Sequence, residues 1–144
     1  MEFDPLTHVE NAAEIRDEAG LWPNFHDAII NEIHVDRGDI RPEDDVWIGI
    51  SVTVGMTLCA YRDPFAVRLT FFDCSDVHLG ISGQVAEPEI DDLVFRLEPR
   101  GFFSDGKTPL PPHICVEFQE GCGIALQFKC FRVRAERLPG PPRL

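Results

Sequence analysis

Residues 46–57 read VWIGISVTVGMT, and apolar and small or polar residues alternate along them. The residues on one side are all apolar: Val46, Ile48, Ile50, Val52, Val54 and Met56. Successive side chains of a β-strand point to opposite faces, so this period of two predicts a strand with one buried face. The stretch therefore indicates a fold built mainly from β-strands.

The same alternation recurs along much of the chain. It predicts strands at 29–35 and 93–98, a hairpin at 66–82 that turns at 73–76, and a second hairpin at 114–128 that turns at 120–123. The apolar phase shifts between Phe128 and Phe131, which predicts a bulge near Lys129 and Cys130. Residues 99–112, rich in glycine and proline, predict a long surface loop, the best candidate for a mobile element.

One helix is expected before these strands. Thr7 and Glu10 have the spacing of a capping box, so the helix should begin near His8, and Gly20 can adopt the left-handed turn that ends it. The predicted class is α+β, mostly antiparallel β, with about seven strands in a meander or curled sheet and one N-terminal helix. We expect a single domain over 1–138 and a flexible proline-rich tail over 139–144.

The junction between helix and first strand is unusual in composition. It reads Trp22-Pro23-Asn24-Phe25-His26-Asp27, with two large aromatics, a proline and a His-Asp pair. We expect a structural corner, in which Trp22 and Phe25 anchor the helix to the sheet, His26 is hydrogen-bonded beneath them and Asp27 accepts backbone N–H groups. Adjacent residues of an extended chain point to opposite faces, so His26 and Asp27 should not form a catalytic dyad. Binding of a partner or ligand is the alternative role.

This corner resembles the opening of the immunity protein 50 family of bacterial polymorphic-toxin systems. The similar features are a helix ending in glycine, the WPxFHD motif at 22–27 and an Ile/Val strand that closes on Asp36 and Arg37. The paired strands 67–71 and 76–79 and a closing strand at 123–130 extend the resemblance over roughly residues 9–136. It implies a small acidic protein that binds and neutralises a cognate toxin inside the producing cell, and it supplies no catalytic residue.

The net charge of the chain indicates which classes of partner it can bind. With 13 basic and 25 acidic residues the formal net charge is −12, which repels nucleic acid and attracts basic proteins. The sequence predicts a partner-binding patch, alternatively a solvated loop face, made of Asp36, Asp39, Glu43, Asp44 and Asp45. A second acidic segment, 89–92, has the same two interpretations.

Motifs for catalysis or metal binding are missing from the sequence. It contains no GxSxG, no phosphate-binding glycine loop and no HExxH, and His26 and His34 are too far apart along one strand to share an ion. We therefore predict no catalytic residue, no metal and no cofactor, although ligands on separate strands could still assemble a metal site. Five cysteines without CxxC spacing predict free thiols, with Cys115 and Cys130 in the core.

These features predict a non-enzymatic binding protein, and the family resemblance implies an immunity protein that neutralises a cognate toxin, which the acidic charge of the chain predicts to be basic. The cysteine usage and the acidic N-terminus predict a cytoplasmic location, and the longest uncharged stretch, 46–61, predicts no membrane span. The alternative is a small-ligand-binding or enzymatic β domain with a pocket near His26.

Overall fold

The alternating stretches fold into a curled and mostly antiparallel sheet. The computed structural model describes residues 2–17, 19–38, 40–41, 46–47, 49–59, 63–82, 89–120 and 123–142. The elements in chain order are helix α1 (Pro5–His8), β1 (Val9–Glu10), a 3-10 helix (Ala12–Ile15), β2 (Ile29–Asp36), β3 (Ile40–Arg41), β4 (Val46–Trp47), β5 (Ile50–Leu58), β6 (Phe65–Ile81), β7 (Ile90–Glu98), β8 (His113–Glu120), β9 (Ile124–Cys130) and β10 (Arg132–Arg137). The predicted class, mostly antiparallel β with one N-terminal helix, is confirmed.

Strand β6 joins the two halves of the sheet. Its first part, up to Cys74, lies between β5 and β10, and its second part, from Ser75, pairs with β9. Strand β2 extends the first half beyond β5, β1 adds to β10 in parallel, and β8 and β7 complete the second half. The backbones of Ile29 and Glu89 form a bridge, so β2 and β7 meet and the sheet curls into a half-barrel.

The predicted hairpin over 66–82 is wrong, because Phe65–Ile81 is one continuous strand of 17 residues. Asp73 and Asp76 have left-handed backbone angles, with φ of 56° and 52°, and they bend the strand without reversing it. The opposing chain bends at the same level: β9 ends at Cys130, β10 begins at Arg132, and Phe131 between them donates its N–H to Phe72 O at 3.1 Å. The predicted bulge at 129–130 is therefore a break at Phe131 that follows the bend of β6.

The stretch 46–57 contains two strands instead of the predicted single one. Val46 and Trp47 pair with β3 in a separate two-stranded sheet, and β5 begins at Ile50. Gly49 lies against the bend of β6, where an added Cβ would be 3.2 Å from Asp73 Cα. A glycine permits this close approach of two backbones. Beyond it the expected apolar face is confirmed, since Val52, Val54 and Met56 are fully buried.

The helix expected from His8 to Gly20 is also wrong. Helix α1 ends at His8, and its N-cap is Asp4, whose Oδ1 accepts the N–H of Leu6 at 3.1 Å. Thr7 does not cap a later helix; its hydroxyl donates to Asp4 Oδ2 at 2.8 Å. Val9 and Glu10 instead pair with β10, so their backbone is part of the sheet and not of a helix. Gly20 does adopt the expected left-handed angle, φ 78°, but it closes a turn on Asp17.

The core lies on the inner side of the curled sheet. Its centre is an aromatic cluster in which the ring of Phe71 lies 4.8 Å from that of Phe128, 6.1 Å from Phe118 and 6.4 Å from Phe95. Phe72, the next residue, points to the outer side, where the guanidinium groups of Arg132 and Arg134 lie 4.6 and 5.1 Å from its ring centroid.

The adjacent Phe71 and Phe72 provide a matched test of these two sides. We expect Phe71→Ala to lower the free energy of unfolding by about 3–5 kcal/mol, because it leaves a cavity in the aromatic cluster. Phe72→Ala should cost about 1 kcal/mol, the value of a partly exposed cation–π contact. Urea denaturation of both variants measures the difference; equal losses would contradict the assignment of the two faces.

Candidate functional site

The corner at 22–27 separates apolar from polar side chains. Pro23 and Phe25 are buried and Trp22 is half-buried, with its ring 5.6 Å from Phe25 and 6.1 Å from Phe95. His26 and Asp27 point the other way, and about 60% of each side chain is exposed (60% and 59%). The aromatics thus fix the corner to the core, and the His-Asp pair faces solvent.

Backbone hydrogen bonds attach this corner to the start of β7. Asp27 donates its N–H to Ile90 O at 3.0 Å, and Ile90 donates its own to Ala28 O at 3.0 Å. The ring nitrogen Nδ1 of His26 lies 2.6 Å from the carbonyl oxygen of Asp91. These bonds hold residues that are more than sixty positions apart in sequence in one rigid arrangement.

Three expectations for the His-Asp pair need correction. His26 is exposed rather than placed beneath the aromatics, and it is Asn24 Oδ1 that accepts a backbone N–H of the turn, that of His26, at 2.8 Å. The two side chains do approach each other, since His26 Nε2 is 3.6 Å from Asp27 Oδ2. The reason is the left-handed angle of Asp27, φ 61°, because it breaks the extended geometry that would have separated them.

The surroundings of His26 favour its protonated form. Its pKa is raised, first by the hydrogen bond to the Asp91 carbonyl and then by the negative charges of Asp27, Asp91 and Asp92. Glu89 borders the same surface, because it precedes Ile90, which bonds to the corner, and its backbone forms a bridge with Ile29. With burial as the larger cause, the charges of Glu89 and Asp27 raise the pKa of the Cys59 thiol. We call Asp27, Glu89, Asp91 and Asp92 the acidic corner.

The acidic corner combines two features that are separate in sequence, the His-Asp motif and segment 89–92. Of the other predicted partner-binding residues, Asp36 lies at the far end of β2, exposed and 2.9 Å from His34 Nε2. Asp39, Glu43, Asp44 and Asp45 lie outside the described residues. Seven residues of strand, on the order of 23 Å, separate Asp36 from Ile29 beside the corner.

A second polar cluster lies on the outer face of β7, β8 and β9. Cys115, expected in the core, is half-buried there, with its Sγ 3.6 Å from Glu98 Oε2, while Lys129 Nζ is 3.0 Å from Glu98 Oε1. Cys115 and Lys129 line a groove of about 340 Å³, together with Arg96 and Glu117. Burial and the Glu98 charge raise the pKa of the Cys115 thiol, so it stays protonated and is a weak nucleophile near neutral pH.

The other described cysteines are poor nucleophiles as well. Burial raises the pKa of Cys74 to about 12 and also raises that of Cys130. Cys59, Cys74, Cys115 and Cys130 are all free thiols. Cys122 lies outside the described residues. Within the described ranges, no three His, Cys, Asp or Glu side chains are grouped closely enough to hold a metal ion.

Comparison with models of protein families, with curated proteins and with solved structures found no match for this chain. The resemblance to the immunity protein 50 family therefore stays a prediction that depends on the WPxFHD motif. In the part of the chain that the structure describes, no helix has the length and apolar character needed to cross a bilayer.

Replacing the two corner aromatics tests how the corner is anchored. Phe25→Ala should lower the free energy of unfolding by about 3–5 kcal/mol, because the ring is almost fully buried (2% exposed). Trp22→Ala should cost about half as much, because part of its ring is already in water. Thermal or urea denaturation measures both; a larger loss for Trp22 would show that the indole is the main anchor.

The titration of His26 tests the geometry of the acidic corner. We expect an NMR titration to give a pKa above 6.5, and Asp27→Asn to lower it by removing one of the charges. Asp36→Asn, at the other end of β2, is the control and should leave this pKa unchanged. A raised folded-state pKa means that the contribution of His26 to stability is present below the unfolded pKa and is lost as pH rises through the folded value. An unshifted pKa would contradict the bond to Asp91.

Proposed function

We propose that this chain is a non-enzymatic binding protein of the cytoplasm, an immunity protein that neutralises a cognate basic toxin by direct contact. The proposal is supported by the resemblance at the WPxFHD corner, by the net charge of −12 and by the position of the acidic corner. The proposal depends mainly on the acidic corner, because there several of the acidic residues of the chain lie together on one surface.

The acidic corner has the properties of a preorganised docking surface. Asp27 is attached to β7 through Ile90, and Phe25 is buried two residues before it, so the carboxylates are presented by a fixed backbone. Fixed charges lose little conformational entropy on binding, and a field of one sign accelerates encounter with a partner of opposite sign. Lysine and arginine side chains of a basic toxin are the groups that this surface would bind.

The alternative function, a ligand-binding or enzymatic domain with a pocket near His26, has less support. The raised pKa of His26 is typical of functional histidines. However, its side chain is well exposed, and three cavities of the described chain, with volumes of about 340, 600 and 540 Å³, are lined by other residues. Exposure to water weakens the electrostatic control that acid–base catalysis requires.

Copurification from the native cell is the direct test of the proposed function. Tagged protein should retain a toxin encoded in an adjacent reading frame, and the toxin should lose its activity in a stoichiometric complex. If no neighbouring toxin binds or is inhibited, the immunity function is refuted.

Two triple variants with equal changes in charge locate the interface. We expect Asp27→Asn, Asp91→Asn and Asp92→Asn together to slow association with the toxin about tenfold at low ionic strength, and less at high salt. Asn tolerates the left-handed angle at position 27 and can accept the Leu93 N–H at position 92, so the melting temperature should stay nearly unchanged.

The matched variant replaces Asp39, Asp44 and Asp45 by Asn, which tests the patch predicted from sequence. Stopped-flow or biosensor measurements compare the on-rates. If the two variants are slowed equally, only net charge matters and the acidic corner is not the interface. If the second variant alone is slowed, the predicted loop patch is the docking surface instead.

A further inference from the structure

The half-barrel closes where the start of β2 meets the start of β7. The backbones of Ile29 and Glu89 form an isolated bridge. Asp27 donates its N–H to Ile90 O, and Ile90 donates its own to Ala28 O, each at 3.0 Å. We call these contacts the seam. Strands β7 and β8, by contrast, pair along nearly the whole of β7. A join of few backbone hydrogen bonds opens at a lower free energy than a long ladder, so the seam should open more readily than β7 separates from β8.

The side chain of His26 crosses the seam. It belongs to the corner that leads into β2, and its Nδ1 lies 2.6 Å from the carbonyl oxygen of Asp91 in β7. A carbonyl oxygen only accepts hydrogen bonds, so Nδ1 is the donor and carries a proton. The other ring nitrogen, Nε2, is then the one that gains or loses a proton as the pH changes.

The position of Nε2 gives its proton a structural effect. Nε2 lies 3.6 Å from Asp27 Oδ2. Without a proton, the lone pair of Nε2 faces a negatively charged carboxylate. With a proton, the ring is a cation that attracts this carboxylate, and the hydrogen bond from Nδ1 to Asp91 O becomes charge-assisted and stronger. A single proton therefore strengthens one contact inside the corner and another across the seam.

The charged groups around the seam favour this proton. In the part of the chain that the structure describes, they are the carboxylates of the acidic corner. The pKa of His26 is raised most by the hydrogen bond to Asp91 O and next by the charge of Asp27, against a smaller effect of desolvation, and the charges of Asp91 and Asp92 add to it. The nearby thiol of Cys59 stays uncharged near neutral pH, because burial and the charges of the corner raise its pKa.

We propose that protonation of His26 controls the opening of the seam: the protonated ring holds the corner against β7, and the neutral ring lets the two separate more readily. Because the folded-state pKa is raised, the stabilisation is fully present below the unfolded value, about 6.5, and is lost as the pH rises through the folded value. An open seam separates Asp27 from Asp91 and Asp92, so the same proton determines how firmly the acidic corner is assembled. No partner takes part, so the test is independent of the proposed function.

A second His-Asp pair in the chain provides an internal comparison. His34 Nε2 lies 2.9 Å from Asp36 Oδ1, and both side chains are well exposed, like those of His26 and Asp27. Both members of this second pair belong to β2, and within the described ranges the side chain of His34 bonds to no other strand. Protonation of His34 therefore has no contact between strands to strengthen.

Native-state hydrogen exchange, measured by NMR from about pH 5 to about pH 9, tests the proposal. The amides of Asp27 and Ile90 form the seam, and their protection should fall about threefold as the pH rises, after division by the intrinsic exchange rate at each pH. The midpoint of this fall should coincide with the titration of the His26 ring. The amide of Leu138, which bonds to Ala66 O at 2.9 Å near the C-terminal end, is the internal control and should keep its protection.

Two glutamine variants separate the role of His26 from general effects of pH. The side-chain amide of His26→Gln can donate to Asp91 O but does not titrate, so the seam amides of this variant should show no such fall, while its circular dichroism spectrum stays that of the wild type. His34→Gln removes an exposed histidine from β2 and should keep the pH dependence of the wild type. Seam protection that falls equally in the wild type and in His26→Gln, or that stays constant while the His26 ring titrates, would overturn the proposal.

Discussion

The two halves of the sheet share strand β6, and the rest of the architecture depends on how its hydrogen bonds are distributed. Up to Cys74 its neighbours are β5 and β10, and from Ser75 its neighbour is β9. A straight strand would give one flat sheet with a face on each side. The bend at Asp73 and Asp76 turns the halves towards each other, and the apolar faces of both can then enclose one core.

The corner at 22–27 completes this enclosure from the other side. Phe25 enters the core, and the backbone bonds to Ile90 join the first half of the sheet to the second. The same short segment therefore contributes to stability through its aromatics and creates a charged surface through His26 and Asp27. Substitutions can separate the two roles, because the buried aromatic and the two charged side chains that face solvent are different residues.

The periodicity of the sequence was sufficient to predict those strands that have one buried face. It predicted β5, β7 and the β8–β9 hairpin, and the parity of Ile114 and Val116 would also have placed Cys115 on the outer face. It failed where distant partners decide the structure. The helix beyond His8 is replaced by pairing of Val9 with Val133. The turn expected at 73–76 is a bend within one strand, because β6 pairs with β10 before it and with β9 after it. The acidic corner likewise needs Asp91, which lies 65 residues from His26.

The parallel pairing of β1 with β10 has a consequence for how the chain reaches this fold. Val9 pairs with Val133, although the two residues are far apart in sequence. Strand β6 likewise pairs with β9 and β10, which come much later in the chain. Contacts between distant residues close large loops and slow folding. During synthesis on the ribosome, the apolar side of β6 therefore stays without these partners until β9 and β10, residues 124–137, have emerged. Slow folding and a need for protection from aggregation at that stage follow from this topology.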